Sequence, residues 1–547
     1  VQDPAAHDSD QPSAAASRCQ RPPPLGVTLL ACVCAWIGGE TRAALAEPPP
    51  ADPQTQEQDS TAPPAPKPDP APEEELPDQP ADETPAEPPP ADAAADTTTP
   101  TGERPPWEQP PKFLSLRYNE DFSYLEDHPE GRGDDPLMWL KNIDVGGAWR
   151  LDIGGETRLR AEKRLNPVFG LDEQHGIQQN YRHMLFANIH HGKLFRLFVQ
   201  GIHAHVETQD EPFEPTQENH FDVHQLFADF RFLGEDVPLT LRVGRQEMYY
   251  GHDRLIGAFE WVSTRRRFDA VKLFYHTGTW DIDLFAARPV TVARTSIDDW
   301  NDDYNFYGLY NTFRLVPNHG VDLYLLHVDR SDQVTNPNGH TGGRSVSTAG
   351  TRFWGQTGPW DYEAEAAGQW GQWASDDVQA TFLEVDLGYK FDHPWYPRLG
   401  TGFGWASGDD DPFDRFVGTW DQLFTYDHVC ISFQDLIGRQ NTTRYYVMLE
   451  AWPHYKVKTS IFYHLYWLNQ ETDFYYNAGG SPVLRDPFGH AGNELGSALE
   501  MMVEWQLTPH TSLMAVYSHF WDGSYFHSVV EDDDDPDFFF IQYQIRF

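Results

Sequence analysis

From residue 148 onward, apolar and polar side chains alternate in short runs bounded by turn-forming residues. Alternation of period two sends successive side chains to opposite faces, so each run predicts a strand with one apolar and one wet face. The runs predict strands at 148–163, 179–190, 193–207, 221–233, 238–249, 265–276, 279–289, 303–315 and 320–331. They continue at 345–356, 359–372, 379–392, 396–408, 440–452, 456–468, 495–508, 510–521 and 536–547. That is about 18, an even number, and each is of the length a tilted strand needs to cross a bilayer. The last run is the plainest: Phe539, Ile541, Tyr543, Ile545 and Phe547 share one face, and Gln542, Gln544 and Arg546 the other.

The connections narrow the architecture. Short turns recur after every second strand, at His191-Gly192, Gly234 to Val237, Thr277-Gly278, Pro317 to His319, Thr357-Gly358, Asp392 to Trp395, Pro453 to Tyr455 and Pro509-His510. Longer polar loops such as 290–302, 409–439, 469–494 and 522–535 lie between them. Strict alternation of short and long puts all short turns at one end, the asymmetry of outer-membrane barrels. A large soluble sandwich has no reason to obey it. The expected fold is therefore all-β, a transmembrane antiparallel up-and-down β-barrel of about 18 strands. Trp280, Trp360, Trp395 and Trp452 sit beside short turns, as an interfacial aromatic girdle requires. Phe547, on the apolar face of the last strand, is the expected barrel-sorting signal.

Composition agrees. No apolar run reaches the roughly 20 residues of a spanning helix, and the mean hydropathy of -0.60 is compatible with a barrel, whose lipid-facing and lumen-facing residues alternate. Asp and Glu number 84 against 40 Lys and Arg, a net charge of -44; this acidity argues against a nucleic-acid partner, which needs a basic surface. Residues 1–46 read as an N-terminal extension and secretory signal peptide: Arg18 and Arg21, the apolar stretch Leu25 to Ile37, and Ala44-Leu45-Ala46 before Glu47. Lipoprotein processing at Leu29-Leu30-Ala31-Cys32 is the alternative. Residues 47–112 are Pro, Ala, Glu, Asp and Thr, too poor in large apolar side chains to offset ordering entropy, and predict a disordered linker. It could serve as a tether toward cell wall or a periplasmic export partner. Residues 113–547 form the expected barrel unit. Once Cys19, Cys32 and Cys34 are removed with the signal, Cys430 stands alone and no disulfide is expected.

Several segments together resemble the alginate-export family of outer-membrane barrels. They are Arg117-Tyr-Asn-Glu-Asp-Phe-Ser-Tyr-Leu125, Asp222-Val-His-Gln-Leu-Phe-Ala-Asp229, and Leu241-Arg-Val-Gly-Arg-Gln-Glu-Met-Tyr-Tyr-Gly251. Arg254-Leu-Ile-Gly257, Arg265-Arg-Arg-Phe-Asp-Ala270, Gly400 to Asp411 and Tyr517-Ser-His519 add to the likeness. The resemblance covers essentially 113–547. It implies a monomeric barrel of about 18 strands in the lipid of a Gram-negative (diderm) outer membrane, passing an anionic polysaccharide through an Arg-lined pore. The sequence offers no convincing Ser/His/acid set for a barrel enzyme, so no catalysis is expected.

Alternation also assigns the lumen. Leu151, Ile153, Leu159 and Ala161 face lipid, so Arg150, Asp152, Glu156, Arg158, Arg160 and Glu162 face inward; an Arg facing lipid near the midplane would cost about 2–4 kcal/mol. The same logic turns Arg182, Arg196, Asp229, Arg231, Arg242 and Lys272 inward. Later strands direct Glu363, Glu365, Glu384, Asp386, Glu450, Glu500 and Glu504 inward, with Lys390, Arg444, Lys458 and Arg546 against them. The expected lumen has a basic wall and an acidic wall. Such a transverse field favours polar or zwitterionic solutes, whereas a polyanion exporter should be uniformly positive. The selectivity candidates are Arg158, Arg160, Arg242, Arg245, Arg254, Arg265 and Arg266, the last four near the loop end, where a fold-in could narrow the channel. Two rivals stay open: a filled barrel whose Arg and Glu satisfy one another, and a structural surface barrel with a cell-wall tether. Asp409 to Asp411 with Asp414, Asp298-Asp299 with Asp302-Asp303, and Asp532 to Asp535 predict solvated loops that could hold Ca²⁺. His203 and His205 share a strand face, but nothing in the sequence supplies a third ligand, so no protein-bound metal or other cofactor is expected. Gly400, Gly402, Gly404 and Ala406 predict a strand with small residues toward the lumen.

Overall fold

The computed structural model describes residues 113–547 except 171–176, 209–215 and 531–533. The signal-peptide and linker assignments, and part of the acidic run at 532–535, lie outside the described residues. The barrel wall begins with β1 (Trp149–Leu165), β2 (Ile177–His191), β3 (Phe195–Thr208), β4 (Asn219–Phe230), β5 (Leu239–Gln246) and β6 (Phe268–His276). It continues through β7 (Trp280–Thr291), β8 (Tyr304–Val316), β9 (His319–Thr335), β10 (Thr341–Thr357), β11 (Trp360–Trp373) and β12 (Asp376–Lys390). The remaining staves are β13 (Arg398–Ala406), β14 (Thr442–His454), β15 (Val457–Leu468), β16 (Glu494–Thr508), β17 (Thr511–Asp522) and β18 (Asp537–Arg546). Successive strands pair antiparallel, and β18 closes on β1 in the register Glu156↔Arg546 to Leu165↔Asp537, giving an 18-strand closed barrel.

Side-chain period explains the two faces. On β1, Asp152, Glu156, Arg158, Arg160 and Glu162 are buried, while Leu159 is exposed on the other side. Around the ring Leu185, Val199, Leu226, Val243, Val271, Leu284, Leu323, Val385, Leu449, Val503 and Ile541 are exposed. An apolar belt of that extent needs lipid to cover it. Phe547 is locked at the seam: its N–H donates to the Gly155 carbonyl at 3.0 Å, and its carbonyl accepts from the Gly155 N–H at 2.9 Å. A Cβ on Gly155 would stand 2.8 Å from the Phe547 ring, so the glycine makes the seat for that ring.

Two expectations about the wall need correction. Loop lengths do not alternate strictly: the connections at 336–340 and 374–375 lie at the loop end yet are short, because β9 and β10 run on as a long hairpin and β11 turns at once into β12. And β6 starts at Phe268, so Arg265 and Arg266 belong to the connection before it.

Three segments reach inside. Residues 113–148 cap the short-turn end and send Leu116, Tyr118, Phe122 and Leu125 inward; there Arg117 donates to the carbonyls of Gly155 (2.9 Å) and Phe547 (2.7 Å) and Lys141 to that of Ile153 (3.0 Å). Connections 247–267 and 407–441 fold in from the loop end, contributing the buried side chains Met248, Ile256, Trp261, Trp420, Phe433 and Ile437.

The candidate channel lumen

Connection 247–267 is held from opposite sides of the ring. On the basic side, Arg158 on β1 donates to the carbonyls of Glu260 (2.8 Å) and Trp261 (2.9 Å). Arg160 donates to the Trp261 carbonyl at 2.7 Å and to the Glu162 carboxylate at 2.7 Å. Arg182 on β2 reaches Glu156 and the Glu260 carboxylate, each at 2.6 Å. The Arg160 guanidinium lies 3.3 Å from the centre of the Trp261 ring, and His428 stacks on that ring at 3.7 Å. Trp261 is thus clamped between a wall cation and the second inward connection.

On the acidic side, Arg254 from the same connection donates to Asp386 on β12 (2.5 Å), to Glu365 on β11 (3.1 Å) and to Glu363. Glu363 also accepts from Arg352 at 2.8 Å. Glu384 is paired with Arg444 on β14 and with Arg439 of connection 407–441. Glu500 accepts from the Ser432 hydroxyl and the Phe433 N–H, both at 2.9 Å, again from that connection. Glu450 meets Lys458 at 2.7 Å and Arg398 at 3.4 Å. Glu504 lies half-buried opposite Lys458 in the β15–β16 register, and Lys390 pairs with Asp361 at 3.9 Å.

Small residues make this wall possible. A Cβ on Gly402 would collide with Tyr446 and Asp386, and one on Gly404 with Glu384. The glycine stripe of β13 therefore houses the acids of its neighbour.

The other candidates are distributed differently. Arg196 and Arg242 share Asp229, at 2.6 Å and 2.7 Å, and Arg242 lies over the rings of Tyr118 and Phe227. Lys272 meets Asp283 at 3.1 Å. Arg150, at the short-turn end, binds Glu126 and Asp144. Arg265 binds Glu247 and Glu260. Arg266 donates only to carbonyls: Gly257 (3.2 Å), Thr425 (2.9 Å) and Phe424.

Two assignments are corrected. Arg231 lies beyond β4 in the 231–238 turn, where it donates to the Glu235 carbonyl, so it is not on the wall. Arg245 faces outward: alternation runs on past Gly244, and Arg245 forks onto Asp269 with two bonds of 2.9 Å beneath the 292–303 connection. Near His205 the structure places Glu218 and His220, two possible ligand side chains that no sequence spacing indicated. Of the acidic loops, Asp298 is buried against Asn219 and Arg267, and Asp302 pairs with Arg288. Asp409 spends its oxygens on the N–H groups of Asp411 and Gly418; burial, with Asp473 nearby, pushes its carboxyl up to about 6.

Sequence reading missed Glu260, Trp261, His428, Arg439 and Tyr118. The first four lie in connections and Tyr118 in the segment before the first wall strand, and neither has a period to reveal a facing direction. The one available signal was Arg117-Tyr118 itself, quoted for its likeness and not for its place in the lumen.

The family described as "Alginate export" matches over residues 149–537. No curated protein matches the chain. Among solved structures of Pseudomonas aeruginosa proteins, OccK5 (OpdH) aligns at 9% identity over 73% of this chain and 98% of its own, with a TM-score of 0.47. OccD3 (OpdP) aligns at 9% identity over 73% and 91%, TM-score 0.49. The outer membrane protein OprD aligns at 9% identity over 73% and 94%, TM-score 0.48.

Proposed function

The chain belongs to the alginate-export family, and from that premise we propose a constricted channel whose solute is an anionic saccharide, best a short uronate-containing oligomer. The protein is an outer-membrane channel of a Gram-negative bacterium. One observation supports the anionic solute. Arg158 and Arg266 have no ion pair among the described residues and donate only to carbonyl and hydroxyl oxygens. No carboxylate pairs directly with either guanidinium, and a fixed cation in a low-dielectric cavity concentrates anions. The inward connections narrow the passage, which favours an oligomer or single extended chain over a bulky polymer.

In this reading Arg158, Arg160, Arg182, Arg196, Arg242, Arg254, Arg265, Arg266 and Lys272 shape the anion path, and the later acids anchor the constriction. The protein acts as a monomer in outer-membrane lipid, with 1–46 as export signal and 47–112 as spacer toward a periplasmic partner. A second reading, a sealed structural barrel, is favoured by the dense pairing around Glu363 and Glu384.

Planar-bilayer recording of the full chain separates them. Conductance steps that uronate oligomers block, and neutral oligosaccharides of equal length do not, are expected. A silent membrane would leave only the sealed barrel, and equal block by neutral sugars would remove the preference for anions.

A further inference from the structure

The outer face of the first strands carries a cluster that the lumen does not use. His183 on β2, His203 and His205 on β3, and His220 on β4 all point away from the lumen near the loop end. His203 and His220 have ring centres 5.5 Å apart, and His205 and His220 5.7 Å apart. Glu218, immediately before β4, brings a carboxylate whose side chain is 2% exposed to 3.2 Å from Nδ1 of His205. One ligand atom from each of His205, Glu218 and His220 fits within a mutual span of 4.8 Å, the one such grouping among the described residues.

We propose that His205, Glu218 and His220 form a binding site for a zinc-class divalent cation on the outer face of the barrel. Three independent features point there. First, two imidazoles and a carboxylate are the donor set that borderline cations prefer, and three protein ligands leave a coordination place for water or a further ligand. Second, Nε2 of His220 and Nδ1 of the adjoining His203 are buried without a hydrogen-bond partner, and the one polar neighbour of Nδ1 of His205 among the described residues is the Glu218 carboxylate at 3.2 Å. Such atoms are costly in this state, and a metal satisfies imidazole nitrogens directly. Third, the carboxylate is already oriented. The Arg294 guanidinium pairs with Oε2 of Glu218, and the Arg294 carbonyl accepts from the His220 N–H at 2.9 Å. An outer-shell partner of this kind holds a ligating carboxylate in place. With Oε2 engaged, Oε1 faces His205.

The span of 4.8 Å is wider than the roughly 3.4 Å between donors around a tetrahedral ion at about 2.1 Å. Small rotations of two half-buried imidazoles close that gap. The bound ion would tie β3 to the segment entering β4 and, through Arg294, to the connection after β7. Phe221, 83% exposed and stacked on His203 at 4.4 Å, marks the same patch on the apolar side.

The test uses the full chain, folded in detergent micelles and freed of metal by a chelator. One equivalent of Zn²⁺ should bind in competition with a chromophoric chelator, and Co²⁺ should show the intense visible bands of a low-coordinate site. Excess Ca²⁺ should not displace either. In the wild-type chain, Zn²⁺ should lower diethylpyrocarbonate labelling of His205 and His220 by about tenfold or more, leaving exposed His393 and His454 unchanged. The double variant His205→Ala/His220→Ala should lose the tight equivalent, and Glu218→Gln should weaken it by about tenfold or more. Absence of a stoichiometric equivalent would overturn the proposal, as would Zn²⁺ that leaves His205 and His220 labelling untouched. The labelling arm needs no variant, so a misfolded mutant cannot hide the answer.

Discussion

The wall of β1 to β6 and the wall of β11 to β16 obey the same alternation and use it in opposite ways. The first wall sends guanidinium groups inward, and they reach the backbone carbonyls of connection 247–267: Arg158 on Glu260 and Trp261 without a carboxylate, Arg182 on Glu260 and Val262 while also paired with the Glu156 and Glu260 carboxylates. The second wall sends carboxylates inward, and these receive side-chain cations from the connections, Arg254 at Glu363, Glu365 and Asp386, and Arg439 at Glu384. A carbonyl carries only a partial charge, so it cannot neutralise a guanidinium; a carboxylate and an arginine neutralise each other. On the first wall Arg158 alone of the inward cations named lacks a carboxylate partner among the described residues, whereas the acids of the second wall are spent on anchoring. In the proposed reading the difference separates two tasks within one lumen, charge selection on one side and mechanical fixation on the other.

The comparison breaks most sharply at Arg254. Arg254→Ala leaves Glu363, Glu365 and Asp386 facing one another without that shared cation, and removing one member of a buried ion cluster costs about 3–5 kcal/mol. We expect connection 247–267 to release from the acidic wall, with a lowered midpoint in urea and a larger single-channel conductance. An unchanged conductance would show that the second wall does not fix the constriction.

On the basic wall the effect should fall on selectivity. Replacing Arg158 and Arg160 by Glu inverts two charges that touch the constriction, and each lost charge-assisted bond to Glu260 or Trp261 is worth about 1.5–3 kcal/mol. In a salt gradient the reversal potential should move toward cation preference. If it stays put, those side chains are not beside the conduction path.

A third, smaller effect concerns the rim above the acidic wall, where Asp409 titrates near 6 against an ordinary 3.8 because it is buried near Asp473. A carboxyl with a raised folded pKa favours the fold while protonated. Its contribution is full below about 3.8 and is lost as pH rises through about 6. Amide exchange in 407–420 should therefore slow, after correction for intrinsic rates, between pH 7.5 and about 5. Asp409→Asn, which mimics the protonated group, should abolish that dependence; a dependence that survives would assign it to another group.

How much of this was legible in the sequence follows from what has a period. Every wall strand was, because Leu159 beside Arg158 and Arg160, or Val385 between Glu384 and Asp386, declares its face by alternation alone. The start of β6 was misplaced because Arg265-Arg-Arg267 follows the loop's needs: Arg265 sits at φ +49°, off the extended path of a strand. Trp261 and His428 meet at 3.7 Å across 167 positions of sequence, and no local pattern announces such a meeting. His205 shows the same limit from the outer face, since Glu218 and His220 reach it only through the pairing of β3 with β4.

Arg245 supplies the smallest and sharpest contrast. It has the same side chain as Arg158 and lies on a neighbouring part of the first wall, but the alternation of β5 sets it outside with Asp269, within reach of Asp222 at 3.8 Å. If charge selection depends on facing the lumen and not on arginine content, Arg245→Ala should leave the reversal potential and block by uronate oligomers at wild-type values. Its partly exposed pair should cost about 0.2–1 kcal/mol in stability, read as a slight drop in the urea midpoint. A selectivity shift as large as that from the Arg158 and Arg160 pair would mean that the field of the whole rim, rather than the inward wall, sets what passes.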